Sequence, residues 1–277
     1  MNDAAAPTAH KIAFIGGGNM ARSLIAGLIR QGVPANTLHV AEPVDALREQ
    51  LSIDFGVHGH ATAAEAAEGC ATWVLAVKPQ MMASACESLA SLVSFTRPLV
   101  VSIAAGIGSG RLREWLGASA AIVRAMPNTP ALLGAGVTGL YAGAEVDAAG
   151  RERAQSLLAS AGQTVWIEDE SLMDAVTAVS GSGPAYVFLL AEAMQAAAVA
   201  QGLPASTAAT LVEQTLLGAS RMLAESGETP AELRRRVTSP NGTTQAAIEA
   251  FQAGGFEALV GQAIDAATRR GRELAAG

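Results

Sequence analysis

Charge, aromatic rings and reactive side chains are all scarce in this 277-residue chain. Only 16% of its residues are charged and 4% aromatic, and 18 Lys+Arg against 25 Asp+Glu leave a net charge of −7. That balance repels a phosphate backbone instead of collecting its counterions, so nucleic acid is not an expected partner. Cys70 and Cys86 form neither a Cys-x-x-Cys motif nor a disulfide framework; in a reducing compartment they are expected as buried packing groups. His10, His39, His58 and His60 form no His-Glu-x-x-His pattern and have few acidic neighbours at ligand spacing. They are expected in loops or at the surface, with no metal. No Gly-x-Ser-x-Gly elbow marks acyl transfer. Met1 to His10 lacks the basic start and apolar stretch of a secretory leader, and no apolar run is read as long enough to span a bilayer. The expectation is a cytoplasmic protein without a membrane partner.

Half of the chain is hydrophobic, enough for a sizeable core. Up to about Ile167, short apolar runs alternate with helix-like stretches: Ile12 to Ile15, Leu38 to Ala41, Trp73 to Val77, Leu99 to Ile103 and Ala121 to Arg124. Continuous apolar strands of this kind suit a parallel sheet covered on both faces, so residues 1–170 read as a doubly wound α/β domain. Val137 to Tyr141 and Thr164 to Ile167 extend its edge, with Asp147 to Ala161 as the helix between them. Beyond Ser171 the pattern changes to alanine-rich three-four spacing, as in Ala208, Leu211, Val212, Thr215 and Leu216, so residues 171–277 read as all helix. Gly202 and Gly227 stand where C-terminal caps belong, and Thr229-Pro230-Ala231-Glu232 reads as a helix start. Small side chains supply a thin core, which points to an obligate homodimer built on this half.

After the first strand comes Gly16-Gly17-Gly18-Asn19-Met20-Ala21, a Gly-x-Gly-x-x-Ala fingerprint leading into a helix. Gly16 permits the tight turn, Gly18 lets the backbone approach a pyrophosphate at the helix N-terminus, and Ala21 allows close helix packing. Glu42, at the end of the second strand, either receives an adenosine ribose, favouring NADH over NADPH, or merely begins the next helix before Pro43. In Val77-Lys78-Pro79-Gln80, Lys78 either faces a cofactor at the carboxyl edge of the sheet or is solvated. Ala104-Ala105-Gly106 and Met126-Pro127-Asn128-Thr129-Pro130 are further loops on that edge, the second holding Asn128 between two prolines. In the helical half, Thr238-Ser239-Pro240-Asn241-Gly242-Thr243-Thr244 is a turn running into a helix, where free N–H groups gather to bind an anion or simply start a helix. Ser180-Gly181-Ser182-Gly183-Pro184 interrupts the helical pattern, as a second glycine-rich helix entry or as a kink. Trp73, Trp115 and Trp166 read as core or interface residues, and Arg234-Arg235-Arg236 as a solvated helix face.

Taken in order, Ile15 to Ala21, Val77 to Gln80, Arg124 to Pro130, Ser180 to Tyr186, Gln214 to Ala219, Leu233-Arg234 and Val237 to Thr244 resemble the pyrroline-5-carboxylate reductase family, from Lys11 to about Leu274. The resemblance implies reduction of L-1-pyrroline-5-carboxylate to L-proline with NADPH or NADH, by a homodimer with interleaved helical domains, often assembled into decamers, and a site at the dimer interface. Carried over by motif, Asn19 and Met20 would bind phosphates, and Lys78, Pro79, Ala104 and Asn128 would lie along the nicotinamide half. Ser239, Gly242, Thr243 and Thr244 would hold the substrate carboxylate, with the Thr244 hydroxyl near the imine nitrogen. Asn241 stands where the family often has glycine. Two other readings fit the same architecture. A 3-hydroxy acid dehydrogenase is expected to use a lysine in the helical half, and residues 171–268 contain none; a non-catalytic dinucleotide sensor would bind without turnover.

Overall fold

The computed structural model describes residues 10–276; the expectation drawn from Met1 to His10 falls, apart from His10, outside the described residues. These residues form one eight-stranded sheet. Its strands are β1 (Ile12–Ile15), β2 (Leu38–Ala41), β3 (His58–His60), β4 (Thr72–Leu75), β5 (Leu99–Ser102), β6 (Ala121–Met126), β7 (Gly136–Ala142) and β8 (Gly162–Trp166). The spatial order is β3-β2-β1-β4-β5-β6-β7-β8. The first six are parallel, β7 is antiparallel to β6, and β8 is parallel to β7. This is the dinucleotide-binding order 3-2-1-4-5-6 with two added strands, and its direction reverses between β1 and β4.

Side chains alternate across the sheet with the period of two that strands impose. Phe14, Val40, Val74, Val101 and Val123 enter one core layer, under α1 (Asn19–Arg30), α2 (Asp45–Phe55) and, beyond the sheet's centre, a later helix. Ala13, Ile15, Trp73, Leu75, Val100 and Ile122 enter the other, under α3 (Ala63–Ala67), α4 (Met82–Thr96) and α5 (Ser109–Leu116). The later helix is α6 (Ala148–Ala159), whose Ala154, Leu157 and Leu158 complete the first layer. Full burial of such aliphatic side chains contributes about 1.5–3 kcal/mol each, which is why the central strands carry no polar face. Cys70 and Cys86 are free and buried here, and burial pushes their thiols up to about 11 and about 12.

Two expectations are corrected. The histidines are not all loop or surface groups: His10 and His58 are exposed, but His39 is buried on β2, and its ring lies 5.1 Å from that of His58 and 5.2 Å from that of His60 on β3. The strand β3 was invisible because its three residues are polar and partly exposed. Ser180 to Pro184 does break the regular α-helix, but the path stays helical. After α7 (Met173–Val176), residues Thr177–Gly181 make a π turn that runs into α8 (Gly183–Ala200), with the Ser182 N–H bonded to the Thr177 carbonyl at 2.8 Å. Pro184 is the second residue of α8, where a missing N–H costs little. The result is a continuous helical stretch, Glu170–Ala200, 31 residues long, whose most apolar window has a mean hydropathy of 1.3 and no buried residue. By length and composition it is long enough to cross a bilayer, contrary to the reading of the sequence.

Two compact units divide the chain: residues 10–182 with 267–276, and residues 183–266. The segment 170–182 belongs to the sheet unit because it is bonded and packed there: Val176 lies over Gly139, where a Cβ would come within 2.5 Å of its Cγ1. The second unit contains α8, α9 (Ala205–Glu225), α10 (Pro230–Arg236), α11 (Thr243–Ala253) and the start of α12 (Phe256–Ala276). Gly202 and Gly227 follow α8 and α9 at φ 98° and 71°, and the Thr229 hydroxyl accepts the Glu232 N–H. Among its described residues only Ala208, Val212 and Leu233 are buried, while Phe188, Leu189, Leu217 and Leu259 are exposed. The end of α12 returns to the first unit, with Leu274 against Gly106 and Gly271 against Asp174.

Candidate functional site

At the carboxyl ends of β1, β2 and β4 the chain opens a cavity of about 460 Å³, lined in part by Gly16, Gly17, Gly18, Glu42 and Lys78. Gly16 sits at φ 106°, its N–H on the Ala41 carbonyl at 3.0 Å, and a Cβ there would come within 2.8 Å of the Ala76 carbonyl oxygen. Only glycine fits that turn. Gly18 caps α1 with extended backbone and no side-chain cap bond, and the space where its Cβ would point is open. The first-turn N–H groups of α1 are therefore left to an external acceptor, and the helix dipole favours an anion there.

Glu42 both helps to start the next helix and lines the cavity. Its Oε1 accepts the Val44 N–H at 3.2 Å, helping to start α2, and its Oε2 lies 3.3 Å from where a Cβ on Gly17 would be. Its own N–H is bonded to the His60 carbonyl at 3.0 Å, so β3 holds it in place. Lys78 is exposed and precedes a short 3-10 turn whose first residue is Pro79. Asn19, Met20, Pro79, Ala104 and Asn128 are not among the cavity's lining residues, whereas Ala61 and Ala63 near α3 and Ser84 and Ser88 on α4 are. Those four carry no motif; the short β3 leads Ala61 and Ala63 to the cavity, and the first turns of α4 after β4 bring Ser84 and Ser88.

Asn128 is 8% exposed, with its amide engaged on two sides: Nδ2 donates to the Ser180 carbonyl at 3.1 Å, and Oδ1 accepts the Val137 N–H at 3.0 Å. Beside it is an ion pair that sequence reasoning missed. Arg124 donates to Glu170 at 2.8 Å, and Glu170 also accepts the Ser109 N–H and hydroxyl, each at 2.6 Å. Burial alone would raise the Glu170 carboxyl, but Ser109 and Arg124 more than offset it and hold it below its ordinary value. With the Asn128 bonds, this cluster fastens segment 170–180 to the sheet.

In the helical unit, Asn241 takes left-handed backbone at φ 58°, the conformation for which asparagine is the best substitute for glycine. The Gly242 N–H closes the turn on the Ser239 carbonyl at 3.0 Å, and the Asn241 N–H is held by the Gln245 side chain at 2.8 Å. Gly242 caps α11 without a side-chain bond. Thr243 is exposed and Thr244 half-buried. An apolar cavity of about 490 Å³ lined by Leu190, Met194, Phe251 and Phe256, and a more polar one of about 600 Å³ at Thr229, Arg235 and Thr238, lie in the same unit. Ser239, Gly242, Thr243 and Thr244 line neither.

Known proteins resemble the chain over nearly its full length. It is 53% identical over 265 residues to the pyrroline-5-carboxylate reductase of Pseudomonas aeruginosa, covering 96% of this chain and 97% of that one. The chain belongs to the pyrroline-5-carboxylate reductase family. The family member from Haemophilus influenzae is 45% identical, covering 96% of this chain and 98% of that one. Among solved structures, a pyrroline-5-carboxylate reductase from Coxiella burnetii superposes with a TM-score of 0.93 at 41% identity, covering 96% and 98% of the two chains. A Plasmodium falciparum pyrroline carboxylate reductase with NADP bound superposes at 0.85 and 28% identity, covering 96% and 98%. Residues 170–274 match the family of pyrroline-5-carboxylate reductase dimerisation, and residues 11–106 that of NADP oxidoreductase, coenzyme F420-dependent. A family dimerisation domain marks the chain as a subunit of a homo-oligomer, which accounts for the exposed apolar faces of α8 and α9.

Proposed function

We propose that this protein reduces L-1-pyrroline-5-carboxylate to L-proline with NADPH or NADH. The observation that carries the reading is a pair of glycine-capped helix starts in a chain of this family. Gly18 opens α1 and Gly242 opens α11, neither with a side-chain cap bond. The first suits a pyrophosphate and the second a small carboxylate. A reduced nicotinamide, when bound, supplies the hydride that the imine carbon receives.

The chain's own residues bind and orient. In this reading the α1 start with Gly16, Gly18, Asn19 and Met20 takes the phosphates, Glu42 takes the ribose, and Lys78, Pro79, Ala104 and Asn128 serve the nicotinamide half. Asn128 does so as a rigid wall, its amide being fixed to Val137 and Ser180. Ser239, Gly242, Thr243 and Thr244 hold the carboxylate, and the Thr244 hydroxyl orients the ring nitrogen. No strong acid is required, because an imine protonated from solvent already accepts electron density; positioning supplies most of the rate. Residues 1–170 thus act as the cofactor half and 171–277 as the substrate and dimerisation half.

We further place the protein in the cytoplasm, where free Cys70 and Cys86 stay reduced, as a homodimer able to assemble into a decamer. A second copy, not lipid, covers the exposed part of Glu170–Ala200. The test is NADH and NADPH oxidation with the pyrroline acid, with keto acids and with no substrate. Oxidation confined to the pyrroline acid is expected; oxidation with keto acids alone, or cofactor binding without turnover, overturns the reading.

A further inference from the structure

We infer that the protein prefers NADH and that Glu42 is the residue that rejects the 2′-phosphate of NADPH. The inference rests on the reading above that the cavity at Gly16 to Gly18 holds the dinucleotide. An acidic side chain after the second strand of this fold accepts the ribose hydroxyls, and a phosphate on the 2′-oxygen would meet it as a like charge. What decides between tolerance and rejection is whether the carboxylate can turn away and whether a cation stands by to replace it.

Neither escape is open. Glu42 is held at both ends: its Oε1 accepts the Val44 N–H at 3.2 Å, and its backbone N–H is bonded to His60 at 3.0 Å. Two arginines lie in the neighbouring helices, and both are turned to other partners. Arg48 donates from Nη2 to Asp45 at 2.6 Å and from Nη1 to the Glu42 carbonyl at 2.8 Å, with its stem lying over Gly59. Arg22 is paired with Asp54 and lies 5.1 Å from the Phe55 ring. Neither arginine lines the cavity, and Lys78, the lining cation, follows β4, on the far side of β1 from Glu42. A 2′-phosphate would therefore meet a fixed carboxylate, with Asp45 at the start of the adjoining helix and no free guanidinium to pair with.

The test uses the full-length protein and two readouts. Calorimetric titration with 5′-AMP and with adenosine 2′,5′-bisphosphate reports binding without turnover; kcat/KM for NADH and NADPH reports use. The expected result is a preference of about tenfold or more for 5′-AMP and for NADH, since the 2′-phosphate and its like-charge contact are the difference within each pair. Glu42→Gln keeps the shape and loses the charge, and is expected to raise kcat/KM for NADPH about tenfold. Arg48→Ala is expected to leave the NADH to NADPH ratio unmoved, whereas a selective loss of NADPH use would identify Arg48 as a phosphate ligand and overturn the inference. Equal use of the cofactors, or a preference for NADPH, by the wild-type protein overturns it even if Glu42→Gln fails to fold. Tighter binding of 5′-AMP than of the bisphosphate, without reduction of the pyrroline acid, would sink the proposed reaction and leave this inference standing.

Discussion

The sheet unit and the helical unit solve the problem of burial in opposite ways. In the first, every central strand is covered on both faces, and apolar layers close within one chain. In the second, helices of similar apolar content leave Phe188, Leu189 and Leu217 exposed. The lesson is that an apolar side chain exposed in one chain means different things in the two units. At Phe95 in the sheet unit it is expected to be plain surface; at Leu189 in the helical unit it is expected to be half of an interface.

The strongest way to break that contrast is to put the same charge at an open apolar position in each unit. Leu189 is 66% and Phe95 87% exposed. Leu189→Asp is expected to abolish assembly and activity, because an unpaired charge in an interface costs about 3–5 kcal/mol, whereas Phe95→Asp should leave both intact; sedimentation of the two variants reads the outcome. A smaller effect is expected at Gly16, whose φ of 106° and 2.8 Å approach to Ala76 exclude a Cβ. Gly16→Ala should lower stability by about 1–3 kcal/mol and weaken 5′-ADP binding, while leaving the oligomer formed.

Acid should separate the units as well, since all four histidines precede residue 61. Burial, then His60, His58 and Lys11, lower His39 from 6.5 to about 4. The neutral ring is favoured in the folded state, so its contribution is complete above pH 6.5 and is lost as the pH falls from 6.5 through about 4. Urea unfolding at pH 7 and pH 5 should show a loss of about 2 kcal/mol from this group, reduced in His39→Gln. The smallest expected effect is chemical. Thr244→Ala should lower turnover about tenfold, or about 1.4 kcal/mol of barrier, without a change in melting temperature; unchanged kinetics would remove Thr244 from the mechanism.

Much of the sheet was legible because its strands are apolar runs bounded by turn residues, and the edge at Val137 to Tyr141 could be read, though not its antiparallel direction. The strand His58–His60 could not, since it is short, polar and held by a stack of rings that only folding assembles. The glycine turn at Gly16 was legible through its spacing. The remaining cavity wall was not, because Ala61, Ala63, Ser84 and Ser88 are common residues with no pattern of their own. Ser180 to Pro184 signalled the break before α8, but the π turn that keeps the path helical across it has no signal in the residues. At Asn128 the flanking prolines suggested rigidity, but the two amide hydrogen bonds account for it more directly.

The return of Leu274 to Gly106 bears on how the chain is made. A ribosome delivers the β5 loop long before the residues that pack on it, so this unit stays unfinished until residue 274 has emerged. A nascent chain halted before residue 267 would carry the whole sheet but lack that lid on the loop. Removing residues 267–276 should accordingly be felt at Gly106, far upstream in the chain.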